Sequence, residues 1–165
     1  MATATYTPIV TQTLGSAASS ITFSSIPSTY TDLRLVLSNL TASTTPDFVL
    51  YRFNGDTASN YSWISINTNG TAASSVNNFN ATSIATVNAQ FLSSTVPTLS
   101  TIDIFSYAGS TNKTALVTVS GELGASVVTQ NLVGLWRATS AITSITVSTG
   151  NPNINAGTIA TLWGI

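Results

Sequence analysis

Five carboxylates, Asp32, Asp47, Asp56, Asp103 and Glu122, are the first candidates for acid–base chemistry in this sequence. The chain has no His and no Cys. That removes the Ser-His-Asp triad, the thiolate nucleophile and the usual zinc ligand set. Two carboxyls roughly 5 to 9 Å apart could flank a glycosidic bond. No two of these acids share a motif, however, and catalysis needs assembled groups with tuned pKa values. No Gly-rich phosphate loop ending in Lys is present, and no dinucleotide fingerprint. The pattern points away from an enzyme, and no cofactor is implied.

Asn54-Gly55-Asp56, with Asn60 following, offers hard oxygen ligands in one loop. A calcium ion needs six to eight such oxygens, and the dense acid pattern of a dedicated loop is missing. The alternative is a turn in which Asn54 and Asp56 hydrogen-bond to local backbone. Arg52 lies inside an apolar run, between Tyr51 and Phe53, where an unpaired buried charge would be costly. It is expected either to pair with Asp56 or Asp32 or to point to solvent. Aromatic rings could form a carbohydrate platform. Trp136 and Trp163 sit among aliphatic neighbours and read as core, whereas Tyr61 and Trp63, beside a loop, are the candidates for exposure. Asn-x-Ser/Thr triplets such as Asn39-Leu-Thr41 are expected by chance in a chain so rich in Ser and Thr.

The elements that must position these residues are strands. Leu33, Leu35 and Leu37 alternate with Arg34, Val36 and Ser38, a period of two. Phe48–Phe53 ends at Asn54-Gly55, a tight-turn signal, and Tyr61–Ile66 precedes a second one at Asn69-Gly70. The stretch from Ala72 to Asn88 is weakly patterned and reads as a long loop or two ragged strands. Order returns in Thr101–Tyr107, Lys113–Gly121, Gln130–Arg137, Ile142–Ser148 and Thr158–Ile165. Within residues 1–13, Ala2, Ala4 and Tyr6 alternate with Thr3, Thr5 and Thr7, as an edge strand or an extended arm would. The whole, residues 1–165, reads as one all-β domain, an antiparallel sandwich of about 8–10 strands.

Composition sets the partners. Only 5% of residues are charged, while 43% are hydrophobic; an ordinary soluble domain carries roughly 25% charge. Ser and Thr, about a third of the chain, hydrate the surface without a long-range field. Four scattered Lys and Arg form no basic patch, so nucleic acid is not expected as a partner. No apolar run approaches the 18 or more residues of a membrane span, so no membrane is expected either. The start, Met1 to Tyr6, has neither the basic nor the apolar part of a signal peptide, which suits synthesis in the cytoplasm without export. A surface so poor in charge is also poorly defended against association.

Several phrases of the sequence carry a family likeness. These are Ile26–Leu33, Arg52–Asp56 with Asn60-Tyr-Ser62, and Gln130-Asn-Leu132 with Gly134-Leu-Trp136. Ala141–Ile145 and Ala160–Ile165 complete the set. With them the chain resembles small β-sandwich virion proteins of tailed phages, notably cyanophages. The resemblance implies a jelly-roll-like fold on the outer surface of the virion and a capsid decoration, or cement, role. It implies the major capsid protein as partner and a homotrimer seated at three-fold positions. The alternative is a tail-appendage or head-surface module that binds a receptor or glycan. The absence of any fibrous, collagen-like or coiled-coil segment favours the head.

Overall fold

The computed structural model describes residues 5–45, 47–68, 70–86, 92–123, 126–151 and 153–165, and within them there are twelve strands and no helix. Positions 1–4 of the expected arm, Asn69 of the second turn, and residues 87 and 88 of the weakly patterned stretch lie outside the described residues. The chain runs through β1 (Thr7–Thr13), β2 (Ser20–Phe23), β3 (Leu33–Leu40), β4 (Val49–Phe53), β5 (Tyr61–Thr68) and β6 (Ala73–Ala81). Then come β7 (Ile84–Ala85), β8 (Thr98–Phe105), β9 (Lys113–Leu123), β10 (Ser126–Trp136), β11 (Ile145–Thr149) and β12 (Ile159–Gly164). The total reaches twelve because the short β2 and the weakly patterned stretch also form strands. That stretch supplies β6 and β7, with Ser and Asn in β6 where β-branched residues would have announced a strand.

Two antiparallel sheets pack face to face. The larger has the order β1-β12-β3-β8-β9-β10-β5-β6, and the smaller β2-β11-β4-β7. Successive strands switch sheets at β1 to β2, β2 to β3 and β3 to β4, while β1 pairs with β12 and β2 with β11. A long antiparallel ribbon wrapped around its own core produces this pairing, which is the jelly-roll arrangement. Two insertions elaborate it. The chain places β5 and β6 between β4 and β7, and β9 and β10 between β8 and β11. Both insertions join the same edge of the larger sheet, where β10 pairs with β5 from Trp136↔Tyr61 to Thr129↔Thr68.

The core fills the space between the sheets. Leu33, Leu35 and Leu37 point inward from β3, Ile102 and Ile104 from β8, and Val117 and Val119 from β9. Ile21, Phe23, Tyr51, Phe53, Ile145 and Val147 answer from the smaller sheet. Polar pins cross the interior: the hydroxyls of Tyr51 and Ser100 lie 2.6 Å apart, and Phe53 N donates to the Tyr61 hydroxyl at 3.0 Å. Burial, opposed by the bond to Ser100, raises the Tyr51 pKa well above its ordinary value.

Gly134 marks a close approach of the two layers. A Cβ there would lie 2.6 Å from Cδ1 of Ile84 and 2.9 Å from its Cγ1. Ile84 is fully buried in the two-residue β7, so any shift that makes room disturbs the packed interior. Gly134→Val therefore overpacks the interior and should cost about 1–3 kcal/mol. Chemical denaturation of wild type and variant reads this as a lower midpoint.

Candidate functional site

The residues that the sequence nominates converge on one corner. The chain leaves the smaller sheet at Phe53 and enters the larger at Tyr61. Asn54 and Gly55 both have positive φ, 53° and 66°, and Asp56 N bonds to Phe53 O at 2.9 Å. This is a type I′ turn. Here it turns the chain out of one sheet toward the other, not into a hairpin. Asn54 Oδ1 accepts from the backbone N–H of Thr143 and Ser144, and its Nδ2 donates to Ala141 O at 2.8 Å.

Asp56 gathers three donors: the Trp136 indole at 2.7 Å, Asn60 Nδ2 at 2.9 Å and Ala58 N at 2.8 Å. Phe53, Tyr61 and Trp136 pack ring against ring beside it. The loop oxygens thus serve protein donors and tie the β4–β5 crossing to β10 and to the segment before β11.

Arg52 forms no ion pair with Asp56 or Asp32. It is half-buried on the outward face of β4 and donates from Nε to Thr82 O at 3.1 Å. Strand alternation explains this, since Tyr51 and Phe53 point inward. Asp32 accepts instead from Ser106 N at 2.7 Å.

Tyr61 and Trp63 are not exposed. Tyr61 is fully buried and Trp63 nearly so, because both stand on the inward side of β5. Burial pushes the Tyr61 hydroxyl up to about 12. Trp136 is core, but Trp163 is not. Ala160, Leu162 and Gly164 take the inward positions of β12, so Trp163 lies half-buried on the outer face, in register with Arg34 and Pro8.

Four features had no herald in the sequence. Arg34 and Asp103 face each other across β3 and β8 in a bidentate ion pair of 2.6 and 2.7 Å, with the Tyr6 hydroxyl 3.1 Å from Arg34 Nη1. The pair's charge-assisted bonds raise the Arg34 pKa. Lys113 is buried, and its ammonium donates to the carbonyls of Gly109 (2.7 Å) and Thr111. Asp47 is buried at the opposite end, accepting from the backbone of Phe48 and Asn151. Asp32, Asp47, Asp56 and Asp103 are therefore each held by different donors.

The fourth feature is a surface. Along the second half of β5 the polarity is inverted: Ser65 and Asn67 point inward and are buried, while Ile64 and Ile66 point outward, 53% and 65% exposed. Both side-chain heteroatoms of Asn67 are buried without a hydrogen-bond partner. Phe79 of β6 (68%), Val133 of β10 (50%) and Leu116 of β9 (38%) share the outer face. Pairing registers place Ile64, Val133 and Leu116 side by side on adjacent strands, and the row continues to Asp103 and Arg34. A groove of about 300 Å³ runs between Ile64, Phe79, Val133 and Leu135, floored in part by Gly134.

No family model, curated protein or solved structure matches the chain. The functional reading therefore rests on the geometry and on the resemblance carried by the sequence. The corner around Asp56 is a structural knot, and the inverted face is a contiguous exposed apolar area of the kind that marks interaction sites.

The knot has a pH signature. Hydrogen bonds from Trp136, Asn60 and Ala58, partly opposed by burial, hold the Asp56 carboxyl below its ordinary value of 3.8. Its contribution to stability is complete above that value and is lost as pH falls through the lower folded-state value. Urea midpoints of wild type and Asp56→Asn should differ steadily near neutrality and converge as the solution is acidified below 3.8.

Proposed function

We propose that the protein is a non-enzymatic decoration protein of a tailed-phage head, bound to the outer surface of the capsid through the inverted apolar face of its larger sheet. The observation that carries this reading is the exchange of sides in β5, which puts Ile64 and Ile66 outside and Ser65 and Asn67 inside. A sheet in water gains nothing from that arrangement unless the outer face is covered. The family resemblance supplies the capsid lattice as the cover, the major capsid protein as the contacting chain and a homotrimer as the assembly.

The mechanism needs no chemistry. A ligand that binds the assembled lattice and not its dissociated subunits stabilises the lattice by mass action, and many copies on one shell multiply a modest contact. The face carries no charge among Ile64, Ile66, Phe79, Leu116 and Val133, so apolar burial and neutral hydrogen bonds make the contact. Attachment should accordingly change little between low and high salt, because screening acts on charges. The glycan-binding alternative loses its sequence-nominated platform, since Tyr61 and Trp63 are buried.

Electron cryo-microscopy of virions with the protein present and deleted tests the assignment. Density lost from regular head positions, with heads that burst at lower temperature, supports it. Loss from the tail with an unchanged head rejects it in favour of a receptor-binding role. Ile66→Asp with Val133→Asp should lower head occupancy on the order of tenfold or more, since two charges would be buried unpaired. Both positions are exposed, so the isolated protein's thermal midpoint should stay close to wild type.

A further inference from the structure

The four sheet edges of the sandwich are unequal. On the smaller sheet, β2 has four residues and β7 two. On the larger sheet, β1 carries Pro8, which has no N–H to offer, and its register slips between Pro8 and Val10. Short length, Pro and bulges are the devices by which natural sheets protect their edges.

Strand β6 has none of them along most of its length. It runs nine residues, Ala-Ser-Ser-Val-Asn-Asn-Phe-Asn-Ala, without Pro or charge, and only Val76 and Ala81 are less than exposed. Its irregularity is confined to the far end, where Asn80 has φ 59° opposite a register shift at Tyr61/Ser62. That end is also held: Arg137 bonds to Asn80 Oδ1 at 3.0 Å and to Ser62 Oγ at 2.6 Å. The edge from Ala73 to Phe79 is regular and anchored, and no described residue pairs with its outer side.

We propose that this edge pairs with β6 of a second copy, antiparallel and centred on Val76. Self-pairing fits because the strand is neutral throughout. In that register Ser74 faces Asn78 of the partner and Ser75 faces Asn77, so hydroxyls meet amides, each able to donate and accept. No like charges oppose each other, the usual penalty in a cross-strand pair. A foreign strand selected by charge would find nothing complementary on β6. The register also keeps Ser75, Asn77 and Phe79 on the face they share with Ile64 and Ile66. The two apolar faces then lie on one side of a continuous sheet spanning both copies. The contact is isologous and two-fold. It is a contact of the free chain, separate from the three-fold seating proposed on the lattice, and stands whether or not the protein decorates a capsid.

Sedimentation velocity of the purified chain, from micromolar to near-millimolar concentration, reads the association directly. Wild type should pass from monomer to a species of twice its mass. Ser75→Lys with Asn77→Lys sets lysine against lysine across the pair and should weaken dimerisation on the order of tenfold or more. Ser75→Asp with Asn77→Lys sets opposite charges at the same positions and should restore it. A chain that stays monomeric at every concentration overturns the proposal. So does an oligomer indifferent to the two lysines, or one weakened equally by both double variants.

Discussion

The architecture depends on how the chain crosses from one sheet to the other between Phe53 and Tyr61. Strand β4 belongs to the smaller sheet and β5 to the far part of the larger one, so a short segment must reverse and change layers without leaving polar groups stranded. Asp56 makes this feasible. Its carboxylate collects the Trp136 indole, the Asn60 amide and the Ala58 N–H, while Asn54 binds the segment that leads into β11. Because Trp136 ends β10 and Asp56 precedes β5, this bond pins one end of the β10–β5 ladder that joins the two insertions widening the larger sheet. Charge-assisted bonds of this kind are roughly twice as strong as neutral ones.

With the insertions held, their outer surface becomes a continuous platform. On the original jelly-roll strands the outward row is ionic and aromatic, with Asp103, Arg34 and Trp163 in register. On the added strands the same row reads Leu116, Val133 and Ile64. Along this row the added strands thus have the character of an interior turned outward and the jelly-roll strands that of a wetted sheet, although Leu99 and Phe105 of β8 are also exposed. The change of character falls between β8 and β9, where the inserted strands begin.

Much of the fold was legible in local pattern. The alternation at Leu33, Leu35 and Leu37, the Asn54-Gly55 turn, and the strands near the C-terminus follow from period and turn chemistry alone. What the pattern could not carry was sidedness and partner choice. In Tyr61-Ser-Trp-Ile-Ser-Ile66, both sets of alternate positions contain large apolar residues, and only the packing of Trp63 inward tells which isoleucines face water. Arg34 and Asp103 meet because β3 and β8 are neighbours, a fact of topology with no trace in either segment. Arg52 looked like the residue in need of a carboxylate because its neighbours were apolar, but alternation had already turned it outward. Trp163 misled in the same way: an aromatic in an apolar strand can still stand on the wet face.

The wrapped ribbon also shapes how the molecule comes together in time. Its outermost pairings, β1 with β12 and β2 with β11, join segments from opposite ends of the chain. The β5–β6, β8–β9 and β9–β10 pairings, by contrast, join strands adjacent in sequence. Closing the long loops first would cost entropy before any contact repays it. The hairpins therefore form early and the ribbon closes late, which makes folding slow for a chain of this size. Contacts made after the rate-limiting step restrain escape from the native state more than they hasten arrival. The late-closing pairings thus act chiefly as a brake on unfolding.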